Sequence, residues 1–460
     1  MIFEWLADHL SAVMFLSLVA ALFCGYPVAF SLGATGVFFG FIGWFLDEFR
    51  LVQFASIMPR IYGGVVVNQV LLAIPMFIFM GLVLEKARLA DDLLHALQVL
   101  LRRIPGGLAL SVAALGTIMA ATTGIVGASV IMLTLMALPT MLERGYDKRL
   151  ACGTIAASGT LGILIPPSIM LVILGDLVQV PVGTLFAGAF LPGFLLSGLY
   201  MLYIVTVSFL WPHLAPPLAR EHHLRGLDLL RLVGRSLIPP AFLIFAVLGS
   251  IFLGWATPTE ASGVGCAGAL LLAWLNGRLN SNMLAEVIEN AGLTNALVFF
   301  IIMGATLFSY VFRALGGDYM VADILAAIGI DTGWEVVVFL MILVFILGFF
   351  FDFIEISLIV LPIFYPILAK IDFSAHVGQA SAFLPWITIL IAVNLQTSFL
   401  TPPFGFTLFY MKGIVPPQVT LLDIYQSIVP FVILQLIGLF LCIFFPEIVL
   451  WLPRVTGFLD

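Results

Sequence analysis

Charged residues are scarce in this sequence: Asp, Glu, Lys and Arg make up 9% of its 460 residues, whereas hydrophobic residues make up 62%. A soluble globular chain carries about 25% charged residues, so this composition excludes that class of protein. The runs 186–210 and 428–445 contain no charged residue and are long enough to cross a bilayer as helices. The sequence therefore predicts an all-α polytopic membrane protein embedded in a lipid bilayer.

The sequence also lacks the patterns of disulfide frameworks, metal centres and enzymes. Its four cysteines are scattered through apolar segments without paired spacing, which is typical of small buried hydrophobes. No Gly-x-Ser-x-Gly nucleophile elbow occurs. Gly263–Gly268 matches a dinucleotide fingerprint but lies within an apolar helical segment, where small residues favour close helix packing. We therefore expect no enzymatic activity, no cofactor and no nucleic-acid partner.

Two proline pairs, Pro166-Pro167 and Pro402-Pro403, interrupt long apolar stretches beside Gly, Ser and Thr. Consecutive prolines remove backbone donors and clash with the preceding turn, so they break a helix. At membrane depth the freed backbone groups are tolerated only where they line a cavity or bind something. One such break in each half of the chain is the pattern of a transporter's binding site. The sequence predicts broken helices at about 150–178 and 383–412.

The two halves also share an internal repeat. Phe77–Gly81 recurs as Phe300–Gly304, and Ala137–Pro139 recurs as Val360–Pro362, with the same separation in the numbering both times. We call this separation the repeat spacing. The proline pairs recur in the same order along the chain at a slightly larger separation, which indicates a short insertion between the matches. Matches in one order indicate a duplicated architecture.

Basic residues then predict the orientation of each half. They flank the apolar segments of the first half far more often than those of the second, which predicts opposite orientations in the membrane. We expect a first repeat over 1–211 and a second over 237–460. Between them we expect a cytoplasmic connector over 212–236, with a short amphipathic helix at Leu227–Val233.

Two helical hairpins complete the predicted architecture. The stretch 106–141 has basic residues at both ends, which a single crossing would not give, so it is predicted to be a re-entrant hairpin. Its counterpart, about 337–369, is predicted to bend near Phe350–Ile354 and to enter from the opposite side.

Small and polar residues cluster at the hairpin tips and at the two breaks. Carbonyls at the C-terminal ends of half-helices can hold a bare cation, whereas N-terminal ends suit an anion. Na+ prefers oxygen ligands, which these clusters supply. The predicted cation-binding residues are Thr122, Thr123, Gly124, Ser158, Gly159, Thr160, Pro166, Ser168, Gly348, Asp352, Asn394, Thr397, Ser398, Thr401 and Pro402. The predicted substrate-binding residues are Ser129, Pro167, Glu355, Gln396 and Pro403.

Simpler roles remain open for some of these residues. The small residues could serve only close helix packing. Asp352 and Glu355 are functional candidates if the bend of the second hairpin lies at membrane depth, and ordinary turn residues if it reaches the interface. Glu260 follows Thr257-Pro258-Thr259, where capping a helix N-terminus is the simpler role.

Several motifs resemble the large membrane subunit of the tripartite ATP-independent periplasmic (TRAP) transporters. They are Gly145–Asp147, Gly162–Ser168, Thr257–Ala261, Gly348–Asp352 and Thr401–Gly405. The resemblance covers nearly the whole chain. The stretch 394–405 is similar to the branch labelled mannitol/chloroaromatic, which includes transporters of 2-oxo acids and other monocarboxylates.

This resemblance implies an elevator fold, in which the hairpins and broken helices form a mobile transport domain. It also implies a scaffold that includes a small four-helix subunit, expected here as a separate chain. A periplasmic binding protein would deliver an organic acid, and a Na+ gradient would drive its uptake across the bacterial inner membrane. The first hairpin tip departs from the Ser/Gly-rich tip of the family at Ile125 and Val126.

Other functions predict different features. A stand-alone Na+/organic-anion symporter of the divalent-anion fold would need no binding protein, and it remains the principal alternative. A proton-conducting respiratory subunit would carry Lys, Glu and His at mid-span, which this sequence lacks.

Overall fold

The computed structural model describes residues 9–123, 126–217, 227–330, 332–402 and 405–459, which form helices joined by turns, without a β-strand. By length and composition, five helices of this described part could cross a membrane. They are Val28–Phe45, Val182–Leu210, Ser281–Ala314, Ala380–Ser398 and Leu421–Phe444. The predicted all-α polytopic class is confirmed.

The helices of the first half fall into a scaffold group followed by a group of paired and broken helices. They are α1 (Leu10–Phe23), α2 (Val28–Phe45), α3 (Leu51–Ala55), α4 (Ile57–Ile61), α5 (Ala73–Lys86), α6 (Leu89–Leu101), α7 (Gly107–Thr123), α8 (Val126–Glu143), α9 (Lys148–Thr160), α10 (Ile169–Val178) and α11 (Val182–Leu210). A π-helical turn, Tyr62–Val66, follows α4, and a 3-10 turn, Leu161–Ile163, follows α9.

The helices of the second half follow a similar order. They are α12 (Leu227–Phe252), α13 (Pro258–Leu275), α14 (Ser281–Ala314), α15 (Gly317–Ala327), α16 (Gly333–Leu347), α17 (Phe353–Leu368), α18 (Ser374–Val377), α19 (Phe383–Ser398), α20 (Phe406–Ile414), α21 (Leu421–Phe444) and α22 (Glu447–Val455). A 3-10 turn, Ala380–Ala382, precedes α19.

We call helices α2, α5, α13 and α14 the scaffold. In it, helices of one half pack along helices of the other. Helix α2 packs along α14, and α13 packs along α5. Glycines permit both close approaches: a methyl group at Gly304 would lie 2.7 Å from the Ala29 carbonyl oxygen, and one at Gly265 would lie 2.6 Å from Met80 Sδ. The two halves are therefore interlocked through small residues.

The two hairpins, α7–α8 and α16–α17, also make contacts within and across the halves. Helix α9 packs between α7 and α8, and α19 packs against α16 and α17. Across the halves, α8 contacts α20, and α17 contacts α10. Each hairpin therefore contacts its own broken helix with both arms and the other broken helix with one arm.

The structure corrects the length of the helix predicted within the connector. Helix α12 begins at Leu227 and continues without interruption through Pro239-Pro240. The last ten residues of the predicted connector 212–236 are thus the start of a long helix, and the predicted short helix Leu227–Val233 is not separate. Proline's fixed φ is compatible with a helix, and packing of α12 against α6 and α13 favours the continuous form.

Candidate functional site

A cavity of about 650 Å³ lies where the hairpin tips and the helix breaks meet the scaffold. We call it the central cavity. Its walls come from the start of α2, the middle of α14, the starts of α8 and α17, and the residues that flank the two breaks, Ile169, Phe399 and Phe406. The lining is largely apolar, with Asp352, Glu355 and a few other polar side chains.

Corresponding residues of the two halves line this cavity together. Ile78 and Ile301 are separated by the repeat spacing, as are Ile131 and Ile354, and all four line the central cavity. In a two-fold arrangement, only positions near the axis bring a residue close to its own counterpart. The central cavity is therefore where corresponding parts of the two halves converge.

Four helices begin at this cavity. Val126, Ile169, Phe353 and Phe406 are the first residues of α8, α10, α17 and α20, and each lines the central cavity. Unpaired backbone N–H groups give a helix N-terminus a partial positive charge, which favours anions. The end of α17 is already capped by acidic side chains, so the ends of α10 and α20, which have no side-chain cap, are the ones suited to an anionic group.

The two acidic residues at the second hairpin tip form the N-terminal cap of α17. Asp352 Oδ1 accepts a hydrogen bond from the Phe353 N–H at 2.7 Å, and Glu355 Oε2 accepts one from the Asp352 N–H at 3.2 Å. Both side chains also line the central cavity. They are therefore half-buried capping residues that also line the central cavity.

Each broken helix ends in a hydrogen-bonded turn. In the first, Ser168 is extended and its hydroxyl donates to the Ile163 carbonyl across the cis Pro166-Pro167 peptide. In the second, the Thr401 hydroxyl donates to the Thr397 carbonyl at 2.7 Å. Side-chain hydroxyls thus occupy some of the carbonyls that the breaks leave free.

The two breaks touch each other through a pair of corresponding residues. Gln396 Nε2 donates to Thr160 Oγ1 at 3.4 Å, and the two residues are 236 apart in the chain. This separation is the one at which the proline pairs recur. Both residues are fully buried, so the contact joins the interiors of α9 and α19.

Unpaired oxygens occur at corresponding positions in the two breaks. Ser158 Oγ in α9 and Asn394 Oδ1 in α19 are buried without a hydrogen-bond partner among the described residues, as is Gln396 Oε1. Ser158 and Asn394 are 236 residues apart in the chain, the same separation as that of Thr160 and Gln396. A buried polar atom without a partner is costly, so each of these oxygens has the chemistry to accept a cation or a water.

Ser158 and Asn394 each lie against the hairpin of their own half. A methyl group at Gly116 of α7 would lie 2.5 Å from Ser158 Cβ, and Asn394 Nδ2 donates to the Met341 carbonyl of α16 at 2.7 Å. Gly348, at the end of α16, faces Ser398 Cβ, 2.4 Å from where a methyl group would be. Small residues therefore serve close packing here, and the same packing brings hairpin backbone beside Ser158 and Asn394.

The structure does not bring all the predicted residues to one space. Asp352 and Glu355 line the central cavity, whereas Ser129, Pro167 and Gln396 are buried elsewhere and are not part of its lining. For four further predicted residues, the structure describes only the backbone or nothing. Thr122 and Thr123 end α7 but their side chains are outside the described part of the chain, and Gly124 and Pro403 lie wholly outside it.

Sequence reasoning missed two contributors to the site. Met341 presents its backbone carbonyl to Asn394, and no side-chain pattern marks such a role. Tyr410 lines the central cavity and lies 3.0 Å from a methyl group placed at Gly127 of the first hairpin. Its position in α20, directly after the second break, was the available signal.

Comparison with known proteins shows what the chain resembles. The family model described as "Tripartite ATP-independent periplasmic transporter, DctM component" matches residues 15–448. The C4-dicarboxylate TRAP transporter large permease protein DctM of Vibrio cholerae is 25% identical over 96% of this chain and 97% of its own length. The isethionate TRAP transporter permease protein DctMQ of Oleidesulfovibrio alaskensis is 29% identical over 96% of this chain and 67% of its own length.

The fold is also found in a solved structure. The YdaH transporter of Alcanivorax borkumensis superimposes with a TM-score of 0.59 over 88% of each chain, at 16% sequence identity. At that identity the likeness extends to the arrangement of helices alone.

Proposed function

The chain belongs to the DctM family of tripartite ATP-independent periplasmic transporters, and on that premise we propose that it imports a small organic acid, received from a periplasmic binding protein and driven by Na+. As a member of this family it is a multi-pass transporter subunit of the bacterial inner membrane, not an enzyme. The substrate class, the coupling ion and the movement are the proposed parts.

The chemistry of the relatives' substrates supports an acidic substrate. C4-dicarboxylates carry carboxylate groups and isethionate carries a sulfonate, so their common feature is an oxyanion. The central cavity offers the N-termini of α10 and α20, which have no side-chain cap, to such a group. Its apolar walls would accommodate the carbon skeleton. We infer that the substrate is a small carboxylate or sulfonate, and we retain the monocarboxylate branch as a prediction.

The observation that carries Na+ coupling is the pair of unpaired oxygens, Ser158 Oγ and Asn394 Oδ1, at corresponding positions in the two breaks. Neutral oxygens beside the carbonyl ends of α9 and α19 are suitable ligands for a hard monovalent cation. We propose one Na+ site at each break, the first completed by the tip at Thr123 and the second by Thr401 and the backbone of the second hairpin.

The movement we propose is of the elevator type. The hairpins and broken helices, α7–α10 and α16–α20, would move as a body along the scaffold formed by α2, α5, α13 and α14. Two partners complete the proposed system: the periplasmic binding protein and a small membrane subunit. The relative named DctMQ, of whose length this chain covers 67%, is consistent with that second partner.

Transport in proteoliposomes tests this function. Ligands of the binding protein would first be found by thermal shift, and uptake of the best ligand would then be measured with both partners present. We expect uptake to require external Na+ and the loaded binding protein. Uptake that is unchanged when choline replaces Na+ at constant pH would refute Na+ coupling. Uptake without the binding protein would favour a stand-alone symporter.

The Ser158→Ala variant tests the proposed ion site, since alanine removes the oxygen and almost no volume. We expect the Na+ concentration for half-maximal uptake to rise, because a dehydrated ion must replace each lost ligand. Ser208→Ala is the matched control: Ser208 is equally buried, but its hydroxyl donates to the Ile204 carbonyl within α11. If both variants have the same Na+ dependence as the unmodified protein, Ser158 is not a ligand.

A further inference from the structure

A second cavity, of about 510 Å³, lies between the scaffold and the hairpins beyond the central cavity. We call it the arginine cavity, because Arg60 and Arg313 both line it. Its other walls come from the π-helical turn after α4, the C-terminal half of α14, the middle of α17 and the end of α10. The function proposed above assigns it no role.

The charge of this lining is unusual for a chain with so few charged residues. Two arginines and a single aspartate, Asp176, surround the space, which leaves an excess of positive charge. Asp176 Oδ1 already accepts a hydrogen bond from Asn68 Nδ2 at 2.6 Å. Neither arginine forms an ion pair with an acidic side chain within the described residues. Asp318, outside the lining, is near enough to interact with the charge of Arg313 but does not pair with it.

Each guanidinium group is held in place by a contact that keeps its charge. The Arg60 guanidinium carbon lies 4.4 Å from the centre of the Tyr310 ring, which orients the group without neutralising it. Arg313 Nε donates to the Ser309 carbonyl at 3.3 Å, which leaves its terminal nitrogens for another acceptor. Two oriented guanidinium groups that keep their charge at one cavity form a typical oxyanion receptor.

The absence of filling side chains explains why the cavity exists. At the other end of the scaffold, Lys86 of α5 forms an ion pair with Glu286 of α14. Their counterparts at the repeat spacing are Ser309 and Gly63, and both line the arginine cavity. Where one end of the scaffold has an ion pair, the other has small residues and open space beside the arginines.

We propose that the arginine cavity binds an oxyanion, either the carboxylate of an organic acid in solution or the phosphate of a phospholipid headgroup. Binding joins the two guanidinium groups through one anionic group, and Thr306 and Tyr365 line the space around it. Only one part of this proposal rests on the proposed function: that a soluble acid bound here is the same acid that the protein transports. The oxyanion chemistry does not depend on transport.

Cysteine labelling of the whole chain in nanodiscs tests this proposal without any transport step. Thr306→Cys places a thiol on the cavity wall, and Ala327→Cys places a matched thiol on the exposed end of α15; in both, the exposed Cys24 is replaced by serine. Rates would be measured with an anionic (sulfonatoethyl) and a cationic (trimethylammonioethyl) methanethiosulfonate. We expect the anionic-to-cationic rate ratio to be about tenfold higher at Thr306→Cys than at Ala327→Cys, because local positive potential concentrates anions.

Arginine variants then identify the source of the preference. Arg60→Gln with Arg313→Gln should abolish it, while Arg60→Lys with Arg313→Lys should largely retain it, since the charge remains. Equal rate ratios at the two cysteines, or a preference that survives both glutamine substitutions, would overturn the proposal.

Protection experiments distinguish the two sources of the oxyanion. Succinate or pyruvate that slows labelling in dodecyl maltoside micelles, which contain no phosphate, with choline chloride as the salt control, identifies a site for a soluble acid. Phosphatidylglycerol that slows labelling when added to these micelles, where the soluble acids do not, identifies a headgroup site. Either result supports an oxyanion site, and the absence of both kinds of protection overturns it. A failure of Na+-driven uptake would leave all these results unchanged.

Discussion

The segment 58–91 and helix α14 correspond to each other at the repeat spacing, yet one is broken and the other continuous. The first contains most of α4, a π-helical turn, the loop 67–72, α5 and the start of α6, whereas α14 runs for 34 residues without interruption. Pro75 lies in the first turn of α5, where Val298 lies mid-helix in α14. Gly63 and Gly64 occupy the places of Glu286 and Val287.

The difference follows from the backbone chemistry of these few residues. N–H groups in the first turn of a helix have no partner within the helix, so Pro75 is tolerated only where α5 begins. The glycine pair lowers helical stability further. Because α14 has neither feature, it forms one rigid rod that lines both cavities, while the broken segment makes room for the arginine cavity. The two halves thus contain one continuous and one interrupted support at corresponding positions.

The largest expected effect comes from breaking α14 as the first half is broken. Val298→Pro should destabilise the protein by about 3 kcal/mol or more, because a proline in a helix interior removes a hydrogen bond and clashes with the preceding turn. The melting temperature in detergent would measure it. Val298→Ala controls for the lost side chain, and Pro75→Ala should have only a small effect. A Val298→Pro protein as stable as Val298→Ala would show that the continuity of α14 is unimportant.

An intermediate effect is expected where α14 packs on α2. Gly304→Ala places a methyl group 2.7 Å from the Ala29 carbonyl oxygen and should cost about 1–3 kcal/mol through overpacking. Gly292→Ala, in the same helix but with open space around it, should gain roughly 0.5–1 kcal/mol because alanine favours a helix. Thermal unfolding of the two variants gives opposite shifts on this account. Equal shifts would contradict the close packing of α2 and α14.

Much of the architecture could be predicted from the sequence because it depends on local chemistry. Apolar runs gave the membrane-spanning class, and Thr257 with Glu260 gave a capped start of α13, whose hydrogen bonds hold the pKa of Glu260 below its usual value. Proline pairs were less reliable. Pro166-Pro167 interrupts a helix, but Pro239-Pro240 lies inside α12, where packing against neighbouring helices outweighs the lost donors.

The site was only partly predictable, because much of it is backbone or distant in sequence. Ser158 and Asn394 were identified from composition near the breaks, and the contact of Thr160 with Gln396 joins two further candidates. The Met341 carbonyl and the arginine cavity depend on tertiary packing that no local pattern encodes.

The smallest expected effect on stability comes from rebuilding the ion pair at the open end. Gly63→Glu with Ser309→Lys would copy Glu286 and Lys86 into the arginine cavity. We expect a change of stability within about 1 kcal/mol, as for other exposed ion pairs. Labelling at Thr306→Cys should nevertheless slow, because the new side chains fill the space. Gly413→Glu, at an exposed glycine near the end of α20 with open surroundings, controls for the added acidic group. Unchanged labelling would refute the correspondence of the two ends.

The central claim is that the two halves are inverted and meet at the central cavity, and cysteine accessibility in intact cells tests it most directly. Helices α6 and α15 each begin after a residue in the left-handed conformation, Arg88 and Gly316, and Asp91 and Tyr319 are the exposed third residues of these helices. Single cysteines would replace Asp91 and Tyr319 in turn in a background with Cys24→Ser. The account predicts that an impermeant maleimide labels Tyr319→Cys in intact cells and labels Asp91→Cys only after the inner membrane is permeabilised. Labelling of both positions from the same side of the membrane would contradict the inverted arrangement.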